Sequence, residues 1–119
     1  MEALFSIERK LFAVFRDVDG FTTCSEYDGK KVRVSFPSDD RMRCVLLLDP
    51  DATEKPRFEN LFCVDGEGNT LWTGKLPQTH DRFIYAHMEP DGLHAWSWSC
   101  RDVTFDPATG RVIREVFMK

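Results

Sequence analysis

The sequence has no Cys-x-x-Cys pair, no basic excess and no long apolar run, and each absence narrows what the chain can be. Cys24, Cys44, Cys63 and Cys100 lie far apart, so they define no zinc or redox motif, although four thiols still allow three disulfide connectivities. The opening residues lack a basic start followed by an apolar stretch, as a secretory signal would have. The expectation is therefore a reducing cytoplasm, with the cysteines as small core hydrophobes. Lys and Arg number 16 against 20 Asp and Glu, a net charge of -4. A general polyanion binder gathers basic residues to displace counterions, so the balance argues against nucleic acid. No stretch approaches the roughly 18 apolar residues of a membrane span, so no membrane partner is expected.

Catalytic signatures are missing too. Ser97 and Ser99 stand in Trp96-Ser97-Trp98-Ser99 without the Gly-x-Ser-x-Gly elbow of a hydrolase. There is no Gly-x-Gly-x-x-Gly and no Walker loop, and the carboxylates are scattered. No catalytic residue, metal ligand or cofactor is assigned.

What is present is a packed β domain. At 119 residues, 42% apolar and 30% charged, the chain can bury a core, and it is expected to form one all-β domain over 1–119. Lys31 to Phe36 alternates, with Val32, Val34 and Phe36 on one face, and ends at Pro37. Cys44 to Leu48 is apolar on both faces, which suits a central strand covered on two sides, with Asp49-Pro50-Asp51 as its stop. Residues 51–59 read as the longest loop. Three hairpins follow: Leu61–Val64 with Thr70–Thr73, Arg82–Met88 with Leu93–Ser99, and Arg101–Phe105 with Arg111–Phe117. Each turn combines Asp or Pro with Gly, which supply the bend and the positive φ. Strands at this spacing predict an antiparallel meander of about 8–10 strands, a sandwich or a partly open barrel. In the first twenty residues Phe and Val favour strand, with a short helix as the alternative.

The first and third hairpins echo each other: Phe62-Cys63-Val64-Asp65 through Gly68-Asn69-Thr70-Leu71-Trp72 parallels Val103-Thr104-Phe105-Asp106 through Thr109-Gly110-Arg111-Val112-Ile113. The pattern resembles the hairpin of quinoprotein-type β-propeller repeats. The resemblance implies turn geometry alone, because 119 residues cannot supply four blades of roughly forty. The carboxy-terminal half is similar to small uncharacterised bacterial proteins, which implies no activity.

Three histidines, His80, His87 and His94, are spaced by seven. A hairpin would bring His87 and His94 together, with Glu89 or Asp91 as a conceivable third zinc ligand; side chains of alternating strands explain them more simply. Asp17-Val18-Asp19-Gly20 and Asp65-x-Glu67-x-Asn69 begin like calcium loops but lack the remaining ligands, so both read as turns. Alternation places His94, Trp96 and Trp98 on one strand face, opposite small residues. Core or cross-strand packing with Tyr85 is the plain reading; an aromatic anchor is the functional one. The candidate binding face is therefore Tyr85, His87, His94, Trp96 and Trp98.

Two functions fit. The first is a non-catalytic interaction domain, an immunity-type binder of a basic protein partner or a homodimer joined along an exposed strand edge. The second is a small-molecule-binding or enzymatic barrel whose pocket these aromatic and histidine side chains line. A concavity where they converge would favour the second, and an open aromatic face the first.

Overall fold

The computed structural model describes residues 2–7, 12–16, 21–23, 26–27, 29–39, 42–65 and 69–118, with side chains from Tyr27 onward. The strands are β1 (Glu2–Ile7), β2 (Phe12–Arg16), β3 (Phe21–Thr23), β4 (Glu26–Tyr27), β5 (Lys30–Pro37), β6 (Arg43–Leu48), β7 (Leu61–Asp65), β8 (Thr70–Thr73), β9 (Phe83–Glu89), β10 (Gly92–Ser97), β11 (Arg101–Phe105) and β12 (Val112–Phe117). One helical turn, Pro50–Ala52, interrupts the longest loop. All pairings are antiparallel, in sheets ordered β1-β2-β3, β4-β5-β6-β7-β8 and β12-β11-β10-β9. The three expected hairpins form within a residue or two of their predicted ends. The count exceeds the predicted strands because residues 2–27 form four short ones.

Residues 2–7 and 12–16 pair as a hairpin, so the alternative amino-terminal helix is not what forms there. Alternation and β-branched or aromatic content are satisfied by strand pairing at least as well as by a helical stripe. Residues 8–11, 17–20 and Cys24 lie outside the described residues, and so does the first calcium-like turn. At the second, the Asp65 carboxylate closes the turn by accepting from the Asn69 backbone amide at 2.9 Å and from Asn69 Nδ2 at 3.1 Å.

β6 is the central strand its composition predicts. Val45 and Leu47 face the β9–β12 sheet, with Leu61, Cys63, Phe83, Leu93, Val103 and Phe105 in the same core. Cys44, Leu46 and Leu48 point the other way, with Tyr27, Val32, Phe62 and Val64. The expected single face of Val32, Val34 and Phe36 is corrected here. The register shifts between Val32 and Val34, so the extra residue turns Val32 into the second cluster while Val34 and Phe36 pack against the first. Such an insertion flips the side-chain phase, and alternation alone cannot reveal it.

Two polar joints tie the sheets. Asn60, fully buried, donates from Nδ2 to the carbonyls of Leu48 at 3.0 Å and Phe83 at 2.7 Å, and its Oδ1 accepts from the Phe83 amide at 2.9 Å. A side-chain amide thus completes backbone pairing where the strands of two sheets meet. At the far edge, Trp72 stacks on Phe105, donates from Nε1 to the Pro107 carbonyl at 3.0 Å and lies flat on Gly110. Gly110 has φ +76°, and a Cβ there would stand 2.5 Å from the indole, so both conformation and space require glycine.

Among the described cysteines, Cys44 and Cys63 are free, buried core side chains, as read from sequence. Cys100 departs from that reading. It is exposed at φ +66° in the turn after β10, where its carbonyl accepts from the Met118 amide. Burial pushes the Cys44 thiol up to about 12 and raises that of Cys63.

Asn60→Leu would strand three backbone groups, each worth roughly 1–3 kcal/mol when buried without a partner, and should cost about 3 kcal/mol in urea unfolding with an unchanged denaturant slope. Under native conditions an alkylating reagent should modify Cys100 while sparing Cys44 and Cys63, as peptide mass mapping would show, because a buried thiol yields little thiolate.

Candidate interaction face

The inner side of the β9–β12 sheet is consumed by Phe83, Ala86, Leu93, Ala95, Val103 and Phe105. Strand alternation therefore directs the residues between them outward. The β9–β10 register sets His87 opposite His94 and Tyr85 opposite Trp96. Their rings form a continuous group: Tyr85 to Trp96 at 5.2 Å, Tyr85 to His87 at 5.4 Å, and His87 stacked on His94 at 5.2 Å between centroids. A shift between Trp96 and Ser97 leaves both Ile84 and Tyr85 exposed, Tyr85 by 45% and Trp96 by 38%. Aromatic pairs at such distances add about 0.5–1.5 kcal/mol beyond area burial, so the group is held in place while remaining accessible.

Four of the five sequence-predicted residues are thus brought together, and Trp98 is not. The strand ends at Ser97, and the Trp98 amide donates to the Arg82 carbonyl at 2.8 Å. The indole, 70% exposed, lines a separate hollow of about 550 Å³ with Arg33, His80, Arg82 and Ile84. Beside it the buried Asp81 carboxylate accepts from the Ser99 hydroxyl at 2.6 Å and the Ser99 amide at 3.1 Å, which fixes the turn. The Arg82 guanidinium is absorbed by the carbonyls of Pro50, Thr53 and Lys55. A second hollow, about 490 Å³, lies at the sheet seam near Phe36, Cys44 and Met88. Neither hollow takes in Tyr85, His87, His94 or Trp96.

Sequence reading placed Glu89 and Asp91 beside these histidines but missed the rest of the charged rim. β11 and β12 contribute Asp102, opposite Trp96, and Arg114, opposite Thr104. Alternation, which sets Asp102 on the face opposite the buried Val103, was the available signal. His94 Nε2 donates to Asp91 Oδ1 at 2.7 Å, and Asp91 Oδ2 accepts from Arg114 Nη2 at 3.3 Å. His87 stands 3.3 Å from Glu89. Asp102 Oδ1 lies 3.6 Å from His94 Nδ1, beyond hydrogen-bond range, and it and His87 Nδ1 are buried atoms with no hydrogen-bond partner among the described residues. The histidines therefore pair with separate carboxylates rather than converging, and no group of three His, Cys, Asp or Glu among the described residues could hold a metal. The hydrogen bond from His94, helped by the His94 and Arg114 charges, holds the Asp91 carboxyl below its ordinary range.

The architecture is an antiparallel β sandwich: the five-stranded and four-stranded sheets close over one core, a second cluster lies on the other side of the five-stranded sheet, and the aromatic face is the outside of the four-stranded one. Residues 38–117, from the end of β5 through β12, match the family described as a domain of unknown function, DUF7957, and the chain belongs to that family. No curated protein and no solved structure matches it. No helix among the described residues is long and apolar enough to cross a membrane.

Because Asp91 is depressed in the folded state, its contribution to stability is present above the ordinary carboxylate range and is lost as pH falls through the folded value. His94→Ala should move the Asp91 carboxyl titration, followed by NMR, upward toward that of an ordinary aspartate. An unmoved titration would show that His94 is not its cause.

Proposed function

We propose that the chain is a non-catalytic protein-interaction domain that binds one partner through the outer face of the β9–β12 sheet. The supporting observation is the Tyr85–Trp96 pair, two large exposed rings in tilted contact at 5.2 Å on an open sheet face. Tyr and Trp dominate binding hot spots because they bring large contact area with little rotamer entropy. The rim carries Glu89, Asp91 and Asp102 against Arg114, and the chain has net charge -4, so the partner is a basic protein. A small acidic immunity protein capping a basic toxin in the cytoplasm has this physical form. The pocket reading gains no such support, since four of its five residues share an outer face and Trp98 occupies a different hollow.

The test is capture of a partner from the native source by immobilised wild-type protein and by Tyr85→Ala, Trp96→Ala and Trp98→Ala variants of unchanged circular dichroism. Loss of about 2 kcal/mol per hot-spot ring should weaken capture roughly thirtyfold for Tyr85→Ala and Trp96→Ala and leave Trp98→Ala close to wild type. Capture indifferent to the first two variants would sink the reading.

A further inference from the structure

β12 is the edge of its sheet and is exposed along its whole length, including the apolar Val112, Ile113, Val116 and Phe117. Natural edges are usually guarded by proline, by lysine, by a bulge or by a covering segment. From Val112 to Phe117 there is neither proline nor lysine, and no strand covers the outer side among the described residues. The one irregularity lies at the start of the strand, opposite Thr104 and Phe105, leaving the pairs from Arg114 to Phe117 regular.

We infer that a second copy of this chain pairs antiparallel along β12, with the two-fold axis beside Val116. Charge selects the occupant. Arg114 and Glu115, one on each face of the strand, are met within their own chain, by Asp91 at 3.3 Å and by Arg101 at 4.0 Å. The edge is therefore a neutral apolar strip on an acidic protein. The strip offers a highly charged partner no net charge, whereas an identical strand is equally balanced.

Backbone phase selects the register. The Met118 amide donates to the Cys100 carbonyl, and Arg101 pairs with Phe117, Asp102 with Val116, Val103 with Glu115 and Thr104 with Arg114. Hydrogen-bonding direction alternates along an antiparallel strand, so Met118, Val116 and Arg114 turn their backbone groups toward β11. Phe117 and Glu115 turn theirs outward. A two-fold axis beside Val116 sets Phe117 opposite the second copy's Glu115, and Glu115 opposite its Phe117, so that the outward amides and carbonyls meet in four hydrogen bonds. Centring on Glu115 or Arg114 would instead oppose like charges, which destabilises a cross-strand pair. In the chosen register Glu115 of the second copy faces the Phe117 ring, over which the Arg101 guanidinium already lies at 4.4 Å from the centroid. The result is one sheet running through both copies, four strands from each.

The register makes the geometry testable. Val116 and its counterpart form a non-hydrogen-bonded pair, whose Cα atoms lie about 4.5 Å apart, within the span a disulfide bridges. Light scattering should report twice the 13.8 kDa chain mass at tens of micromolar. In a Cys100→Ser background, Val116→Cys should form a covalent dimer under mild oxidant and Arg114→Cys should not. Phe117→Pro removes an outward amide without breaking an intrachain bond, so it should yield a folded monomer. A monomeric wild type would overturn the proposal, leaving the edge to a different chain. So would a dimer that survives Phe117→Pro, or one that cross-links as readily through Arg114→Cys. Tyr85 and Trp96 variants leave this strand intact, so failure here and failure of the aromatic face are separate results.

Discussion

The Asn60 side chain is the joint on which the sandwich depends. The chain leaves β6 at Leu48, runs through the longest loop and re-enters at Leu61, so buried backbone groups at the crossing lose their ladder partners. Asn60 satisfies Leu48 and Phe83 together, one from each sheet, in an environment where an unpaired group is costly. With the joint made, Phe83 sits edge-on to Phe105 and the two sheets close over Val45, Leu47, Leu93 and Val103. Trp72 and Gly110 perform the corresponding closure at the opposite edge through ring contact and one indole hydrogen bond.

The exposed chemistry follows from that closure. Alternate residues of β9 and β10 have no room in the core, so Tyr85, His87, His94 and Trp96 stand outside. They are held by one another and by carboxylates on neighbouring turns and strands. His94 is the centre of this rim: it stacks on His87, binds Asp91 and approaches Asp102. Arg114 ties the same Asp91 to β12, so the aromatic face and the sheet edge are mechanically continuous.

Much of the fold was legible because turn chemistry and strand period agree in the carboxy-terminal ninety residues or so. Asp106 shows why: its Oδ1 accepts from the Ala108 amide at 2.9 Å while Gly110 takes the positive φ, and both requirements are local. The pairing of His87 with His94 was readable for the same reason, since a short turn sets hairpin register. The shift between Val32 and Val34 was not, because inserting one residue changes no composition. Nor was the separation of Trp98 from Trp96, which depends on β10 ending where Asp81 and Ser99 bind across the turn.

By itself the sequence determined an antiparallel β chain, its hairpins and a doubly buried central strand, since period, turn residues and apolar runs act over a few neighbours. Tertiary structure decided which sheet face stays open, that Arg114 reaches Asp91, and that β12 forms one of the exposed sheet edges. Those outcomes turn on contacts between residues tens of positions apart, such as Asn60 with Phe83 and Arg114 with Asp91, where spacing along the chain carries no information about distance in space.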